Sequence, residues 1–287
     1  MREVASHWLQ SHHTQNGIET RKLKSKKCQK VAFTSGKGGV GKTSISLKSA
    51  LELSELGYRV LLIDCDFNLS NTALKLGLPL KEHFYHYLLG KKKLEECIYF
   101  YGKLHLLSSC NGSFDLYQAD YNLEDYVLDI ISKVESQYDF IILDCPAGIS
   151  KDNVILNAYA DYRIFVITPD KSSITDSYSF MKILSKEFDV KHNHIFVNKY
   201  SEKKQFNKVV KTISETAENF LGSRTSVIGS MKMLDYKAEQ FDHFFLQGKN
   251  SPLHKNFIKC ITKFAEESHS GFHNLLKYEI VSPINMI

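Results

Sequence analysis

"TSGKGGVGKT", residues 34–43, is the stretch that decides the fold. Ten residues hold four glycines, Gly36, Gly38, Gly39 and Gly41, and two lysines, Lys37 and Lys42. Gly36-x-x-x-x-Gly41-Lys42-Thr43 has the spacing of a phosphate-binding loop. In such a loop glycines let the backbone curl until its N–H groups converge on phosphate oxygens, and the helix that follows adds partial positive charge at its N-terminus. Lys42 would reach the β- and γ-phosphates, and Thr43 would ligate Mg²⁺. One lysine is enough for that work, so Lys37 calls for a separate explanation.

The loop motif requires a strand before it and a helix after it, and the flanks supply both. "KVAFTS" (30–35) is short and apolar, and "SISLKSALELSELG" (44–57) has a helical pattern with Gly57 where a C-cap would fall. The same alternation continues along the chain. Strand-like runs recur at "RVLLIDC" (59–65), "LHLLSS" (104–109), "YDFIILDC" (138–145), "RIFVITP" (163–169), "HIFVNKY" (194–200) and "SVIGSM" (226–231). They are apolar on both alternating faces, as strands buried in a parallel sheet are. Helical patterns such as "FNKVVKTISETAENFLG" (206–222) lie between them. The predicted fold class is α/β, a P-loop NTPase with a doubly wound, mostly parallel sheet flanked by helices.

A phosphate loop needs acidic partners for its metal. "LLIDCD" ends the second run with Asp64 and Asp66, and "FIILDCPAG" ends the fourth with Asp144. Aspartates at the C-terminal ends of strands border the crevice where such sheets bind ligands. Asp144 is placed to hold the Mg²⁺ shell through water. Asp64 and Asp66 are expected on one face of their strand, one for the metal shell and the other for the attacking water.

Composition bounds the rest. The 287 residues are 43% hydrophobic and 24% charged, ordinary for a globular chain with a sizeable core. No window approaches a membrane span, and the N-terminus has no apolar signal region. Six scattered cysteines form no C-x-x-C pair, which argues for reduced thiols, a cytoplasmic setting and no zinc site. The net charge of +5 is local. Residues 1–30 carry seven basic side chains against two acidic ones, and the remaining chain balances. A neutral body argues against non-specific nucleic-acid binding.

"KGGVGKT", with a lysine two places into the loop, is the deviant Walker A motif, and from about residue 30 to 268 the sequence resembles the MinD/ParA ATPase family. The resemblance implies ATP and Mg²⁺ as cofactors and an ATP-dependent homodimer in which Lys37 reaches the nucleotide of the other subunit. A lysine placed there adds charge where the phosphoryl transition state concentrates it. It also implies catalytic roles for Lys37, Lys42 and Asp66, with Asp66 positioning the hydrolytic water. Thr43, Asp64 and Asp144 are the implied metal set. The nucleotide-binding set is Gly36, Lys37, Gly38, Gly39, Val40, Gly41, Lys42, Thr43 and Ser44, together with Asn71 in "DCDFNLSN" and Asn198 in "VNKY".

Three further stretches are similar to the FlhG branch: "PAGIS" with "DNVILNAYAD", "TPDKSSITDSYSFMKIL" (168–184) and "FFLQGKNSPLHKNFIK" (244–259). That branch implies regulation of flagellar number or placement, with the FlhF GTPase and flagellar switch-complex proteins as partners. The alternative is a MinD/ParA-type positioning ATPase for division, partition or another cargo. There are departures: "REVASHWLQ" lacks the Asp-Gln element of the branch, and "VIGSMKMLD" lacks the proline common near the adenine. The expected organisation is a basic tail with a short partner-binding helix over 1–29, the ATPase domain over 30–269, and over 270–287 a tail whose amphipathic helix would make peripheral contact with the inner face of the cell membrane.

Overall fold

The structure is a computed structural model and describes residues 27–66, 71–79, 83–108, 122–236, 238–248 and 251–270. The elements in chain order are β1 (Gln29–Ser35), α1 (Lys42–Glu55), β2 (Val60–Asp64), α2 (Thr72–Lys75), α3 (His83–Leu88), β3 (Tyr99–Tyr101) and β4 (Leu104–Leu107). They continue with α4 (Leu123–Val134), β5 (Phe140–Ala147), α5 (Lys151–Tyr159), β6 (Tyr162–Ile167), α6 (Lys171–Phe188), β7 (His192–Tyr200), α7 (Lys203–Leu221), β8 (Arg224–Lys232), α8 (Ala238–Gln247) and α9 (Pro252–Ser270).

Eight strands form one sheet in the order β3-β4-β2-β5-β1-β6-β7-β8. Every neighbouring pair is parallel except β3 with β4. All seven strands expected from the apolar runs are present. The eighth, β3, is a three-residue edge strand that pairs antiparallel with β4 across the turn at Gly102. It is too short to show a period in the sequence.

Period-2 alternation sends side chains to two cores. Val31, Phe33, Leu62, Phe140, Ile142, Ile164 and Val166 face one side, where α1, α8 and α9 pack. Ala32, Leu61, Ile63, Ile141 and Leu143 face the other, under α4 and α5, and Phe165 and Ile167 continue that face under α6 and α7. Covering both faces explains why the strands read as continuous apolar runs.

The order places β1 between β5 and β6. The chain leaves β1 toward β2 on one side, and the crossover from β5 through α5 to β6 passes to the other side of β1. That reversal is a switch point, and the crevice beyond the C-terminal ends of these strands is where the fold accepts a ligand. Residues 36–41 occupy it.

The last helices close the fold through a polar contact that periodicity hid. Ser44, Lys48 and Glu52 stand at i, i+4 and i+8 on α1, and all three are buried. Lys48 Nζ pairs with Glu52 Oε1 at 3.0 Å and donates to the carbonyls of Leu246 and Gly248, at the C-terminal end of α8. Glu52 Oε1 lies 3.7 Å from His254 Nδ1 of α9. Ser44 Oγ donates to Asp242 of α8 at 2.6 Å. One stripe on α1 therefore holds both C-terminal helices.

Candidate phosphate-binding site

Glycine is required at two points of the loop. Gly41 caps α1 in the left-handed region, with φ 91° and ψ 17°, where a side chain costs about 1–2 kcal/mol. A Cβ there would also lie 2.6 Å from Asn198 Nδ2. At Gly36 a Cβ would come within 2.3 Å of the Asp176 backbone carbon, so α6 packs directly on the loop. Asn198 is buried beneath it. Its Nδ2 donates to the Val40 carbonyl at 2.7 Å and its Oδ1 accepts from the Lys199 N–H at 2.9 Å. Lys199, at φ 56°, donates from Nζ to the Gly39 carbonyl at 2.8 Å. The loop carbonyls are thus held from below, which leaves the N–H side of the loop for a ligand.

The first turn of α1 begins at Lys42. The N–H of Ile45 bonds back to the Gly41 carbonyl at 3.2 Å, and helix geometry leaves the N–H groups ahead of it without intrahelical acceptors. Lys42 is buried, and its Nζ lies 3.0 Å from Asp144 Oδ1. Burial pulls the ammonium down, but the Asp144 carboxylate beside it outweighs burial and holds its pKa above the ordinary lysine value, so it is charged. Asp144 sits in register with Asp64 across the β2–β5 pair, which brings the two carboxylates to one edge of the crevice.

Asp64 is fixed on both oxygens. Oδ2 accepts from Thr72 Oγ1 at 2.8 Å, and Oδ1 accepts from the Asp66 N–H at 3.0 Å. Asp66 itself lies past the end of β2, so it does not share a strand face with Asp64 as the sequence suggests. The strand pattern stops at Asp64, and Asp66 begins the connection to α2. Asn71 is exposed at the N-cap position of α2 and makes no side-chain cap bond.

Lys37 stands apart from this group. Its side chain is 45% exposed and its Nζ lies 3.1 Å from Asp170 Oδ1. Asp170 caps α6 by accepting from the Ser173 N–H at 2.9 Å and also accepts from Ser172 and Thr168 hydroxyls. Partial burial raises its pKa, but these donors and Lys37 outweigh it and hold the carboxyl far below the usual range. A cleft of about 440 Å³ opens here, walled by Lys37, Gly39, Thr168, Asp170, Lys199 and Gln205. Asp170 is a site residue absent from the set expected from the sequence. Its signal was the N-cap spacing of "PDKSS", an acidic residue just before a helical run.

The groups present fit a magnesium-bound nucleotide polyphosphate. Convergent N–H groups and one buried ammonium suit phosphate oxygens, and the Thr43 hydroxyl with two neighbouring carboxylates suits a hard divalent cation.

The AAA_31 family model, described as an AAA domain, matches residues 28–197. Among curated proteins, the chain is 26% identical over 202 residues to the antiactivator FleN of Pseudomonas aeruginosa, spanning 70% of this chain and 72% of that protein. It is 34% identical over 196 residues to the flagellum site-determining protein YlxH of Helicobacter pylori, spanning 67% of this chain and 65% of that one. Among solved structures, the MinC:MinD cell division protein complex of Aquifex aeolicus superposes with a TM-score of 0.62 at 25% identity, covering 84% of this chain and 96% of that chain. The septum site-determining protein MinD of Pyrococcus horikoshii, complexed with Mg-ADP, gives 0.65 at 23%, covering 83% and 96%, a likeness of fold.

The chain belongs to the MinD/ParA family of P-loop ATPases.

Within that family it is most like the FlhG type, through its similarity to FleN and YlxH. The structure brings together the residues that the MinD/ParA resemblance singled out at the loop, at Asp64 and at Asp144, and sets Lys37 at the rim of the same crevice. Ser44 faces α8 through its hydroxyl. Of the tails expected at 1–29 and 270–287, residues 1–26 and 271–287 lie outside the described residues. Among the described residues, no helix is long and apolar enough to cross a membrane.

Proposed function

We propose that this chain binds ATP with Mg²⁺, hydrolyses it slowly, and forms an ATP-dependent homodimer that regulates flagellar number or placement. The observation that carries the reading is the separation of the two lysines. Lys42 is buried against Asp144, whereas Lys37 is solvent-exposed and held only at the rim by Asp170 of its own chain. An exposed ion pair of this kind contributes roughly 0–1 kcal/mol, so Lys37 can leave Asp170 at little cost for a stronger anion presented by a second subunit.

Within the reading each residue has one task. The free N–H groups of the loop and Lys42 hold the phosphate chain. Thr43 ligates the metal, with Asp144 and Asp64 ordering its water shell. Asp66, fixed through its N–H to the Asp64 carboxylate, orients the attacking water. Bound Mg²⁺ supplies electrostatic stabilisation of the charge that develops on the phosphates. Lys37 of one subunit adds charge to the site of the other, so that nucleotide joins the dimer.

The flagellar assignment rests on FleN and YlxH, whose names describe an antiactivator and a flagellum site-determining protein. The second reading is a positioning ATPase of division or partition, favoured by the likeness to MinD of Bacillus subtilis, 29% identical over 175 residues. Light scattering with ATP and Mg²⁺ tests the switch. Asp66→Ala, slowed in hydrolysis, is expected to accumulate as a dimer, and a persistent monomer would contradict the proposal. Affinity capture with the same variant separates the two readings. FlhF or flagellar switch proteins support the first, and a ParB-like or division protein supports the second.

A further inference from the structure

Ser44 lies in the first turn of α1, where its N–H is among those left for a phosphate. Its hydroxyl is already engaged. Oγ donates to Asp242 Oδ1 of α8 at 2.6 Å and accepts from Lys75 Nζ of α2 at 3.3 Å. Lys75 and Asp242 are also paired with each other, and their side chains are only 23% and 17% exposed. A hydroxyl has one proton to give. Ser44 therefore cannot donate to Asp242 and to a phosphate oxygen at once. The cluster thus sets a carboxylate and an ammonium beside the same helix N-terminus. There they act on a bound polyphosphate with opposite sign.

We propose that Asp242 and Lys75 set the nucleotide affinity of the site: Asp242 competes with the phosphate chain for the Ser44 hydroxyl, and Lys75 restrains Asp242 while adding positive charge. The proposal rests on the nucleotide reading above and deepens it. When Ser44 turns to the phosphate, Asp242 keeps Lys75 as its partner, so α8 loosens from α1 at this end alone. Its other end stays fastened by Lys48 to the Leu246 and Gly248 carbonyls. Thr72, at the start of α2, holds Asp64. The helix that carries Lys75 is therefore anchored to the metal side of the crevice as well.

A purely structural ion pair between α2 and α8 would make both single substitutions act in the same direction. Competition makes them act in opposite directions. The test is equilibrium titration of the full chain with a fluorescent ADP analogue and Mg²⁺, with ADP chosen so that dimerisation does not enter. Asp242→Ala frees the Ser44 hydroxyl and removes a negative charge, and binding is expected to tighten about fivefold, the change that one competing hydrogen bond accounts for. Lys75→Met leaves Asp242 unrestrained, and binding is expected to weaken about fivefold by the same measure. The double variant should stay tighter than wild type, close to Asp242→Ala less the loss of the Lys75 charge, because Lys75 acts mainly through Asp242. Asp242→Asn, which keeps the shape of α8 and removes only the charge, should also tighten binding and guards against a folding defect in the alanine variant. Shifts of equal sign in both single variants, or no shift in a folded Asp242→Asn protein, would overturn the proposal alone. A wild-type chain that binds no adenine nucleotide would overturn the nucleotide reading and this proposal with it.

Discussion

Lys48→Met removes one charge from the interior and should cost more than any surface substitution on α1. The Lys48 side chain is 1% exposed. Its Nζ lies 3.0 Å from Glu52 Oε1 and donates to the Leu246 carbonyl at 3.1 Å and the Gly248 carbonyl at 3.2 Å. Methionine keeps an unbranched apolar stem of similar reach, so packing changes little. Two losses remain. The Glu52 carboxylate, 9% exposed, is left with His254 Nδ1 at 3.7 Å. The carbonyls ending α8 lose their charged donor. Removing one partner of a buried pair costs about 3–5 kcal/mol, and these hydrogen bonds fall within that figure. At roughly 2–4 °C per kcal/mol for a large domain, Tm should fall by about 6–20 °C. Urea unfolding followed by far-ultraviolet circular dichroism, with calorimetry, measures both quantities. Adding Glu52→Gln should recover part of the loss, because it removes the stranded carboxylate. A cost below about 1 kcal/mol, or a double variant no more stable than Lys48→Met, would refute the reasoning about buried charge.

Two further outcomes follow from the loop and from the buried acids. Gly41→Ala forces a Cβ into a φ of +91° and to 2.6 Å from Asn198 Nδ2, so ADP affinity should fall at least about tenfold while the fold survives, the backbone strain alone being about 1–2 kcal/mol; unchanged affinity by calorimetric titration would count against the loop geometry. Burial pushes the Cys28 thiol up from 9.0 to about 12 and raises the phenols of Tyr138, Tyr159 and Tyr162. These groups stay protonated in the folded chain and ionise earlier in the unfolded one, so their stabilisation is complete below pH 9 and is lost as pH rises from 9 toward 12. Scanning calorimetry from pH 7 to 11 should show Tm falling above pH 9, less steeply in Cys28→Ala, and a flat profile would contradict the assignment.

The sheet was legible because its chemistry is repetitive. Runs such as "YDFIILDC" bury both faces, and burial on both faces is what an apolar run without alternation encodes. The loop was legible because glycine spacing, strand and helix all had to agree. β3 was not, since three residues in an edge strand carry no period. Alternation along "LLIDCD" puts Asp66 on the strand face of Asp64, but the strand ends at Asp64, one step of alternation before Asp66. The polar stripe Ser44–Lys48–Glu52 was invisible to a hydrophobic pattern, which treats such residues as a solvated face. Only the packing of α8 and α9, distant in sequence, turns that face inward. The pairings of Asp170 and Asp242 escaped for the same reason. Their partners lie 133 and 198 residues away, at Lys37 and Ser44, and no local signal announces such a pairing.

The division of labour between the two lysines is the centre of the account, and two single variants test it directly. Nucleotide titration and light scattering, run side by side on Lys42→Ala and Lys37→Ala with ATP and Mg²⁺, measure binding and assembly separately. Lys42, buried against Asp144 beneath the loop, should be needed for binding, so Lys42→Ala should bind no ATP. Lys37, exposed at the rim, should be needed only across the interface, so Lys37→Ala should bind ATP within a few-fold of wild type yet remain a monomer without hydrolysis. Equal loss of ATP binding in both variants, or a Lys37→Ala chain that dimerises and turns over as wild type does, would contradict the account.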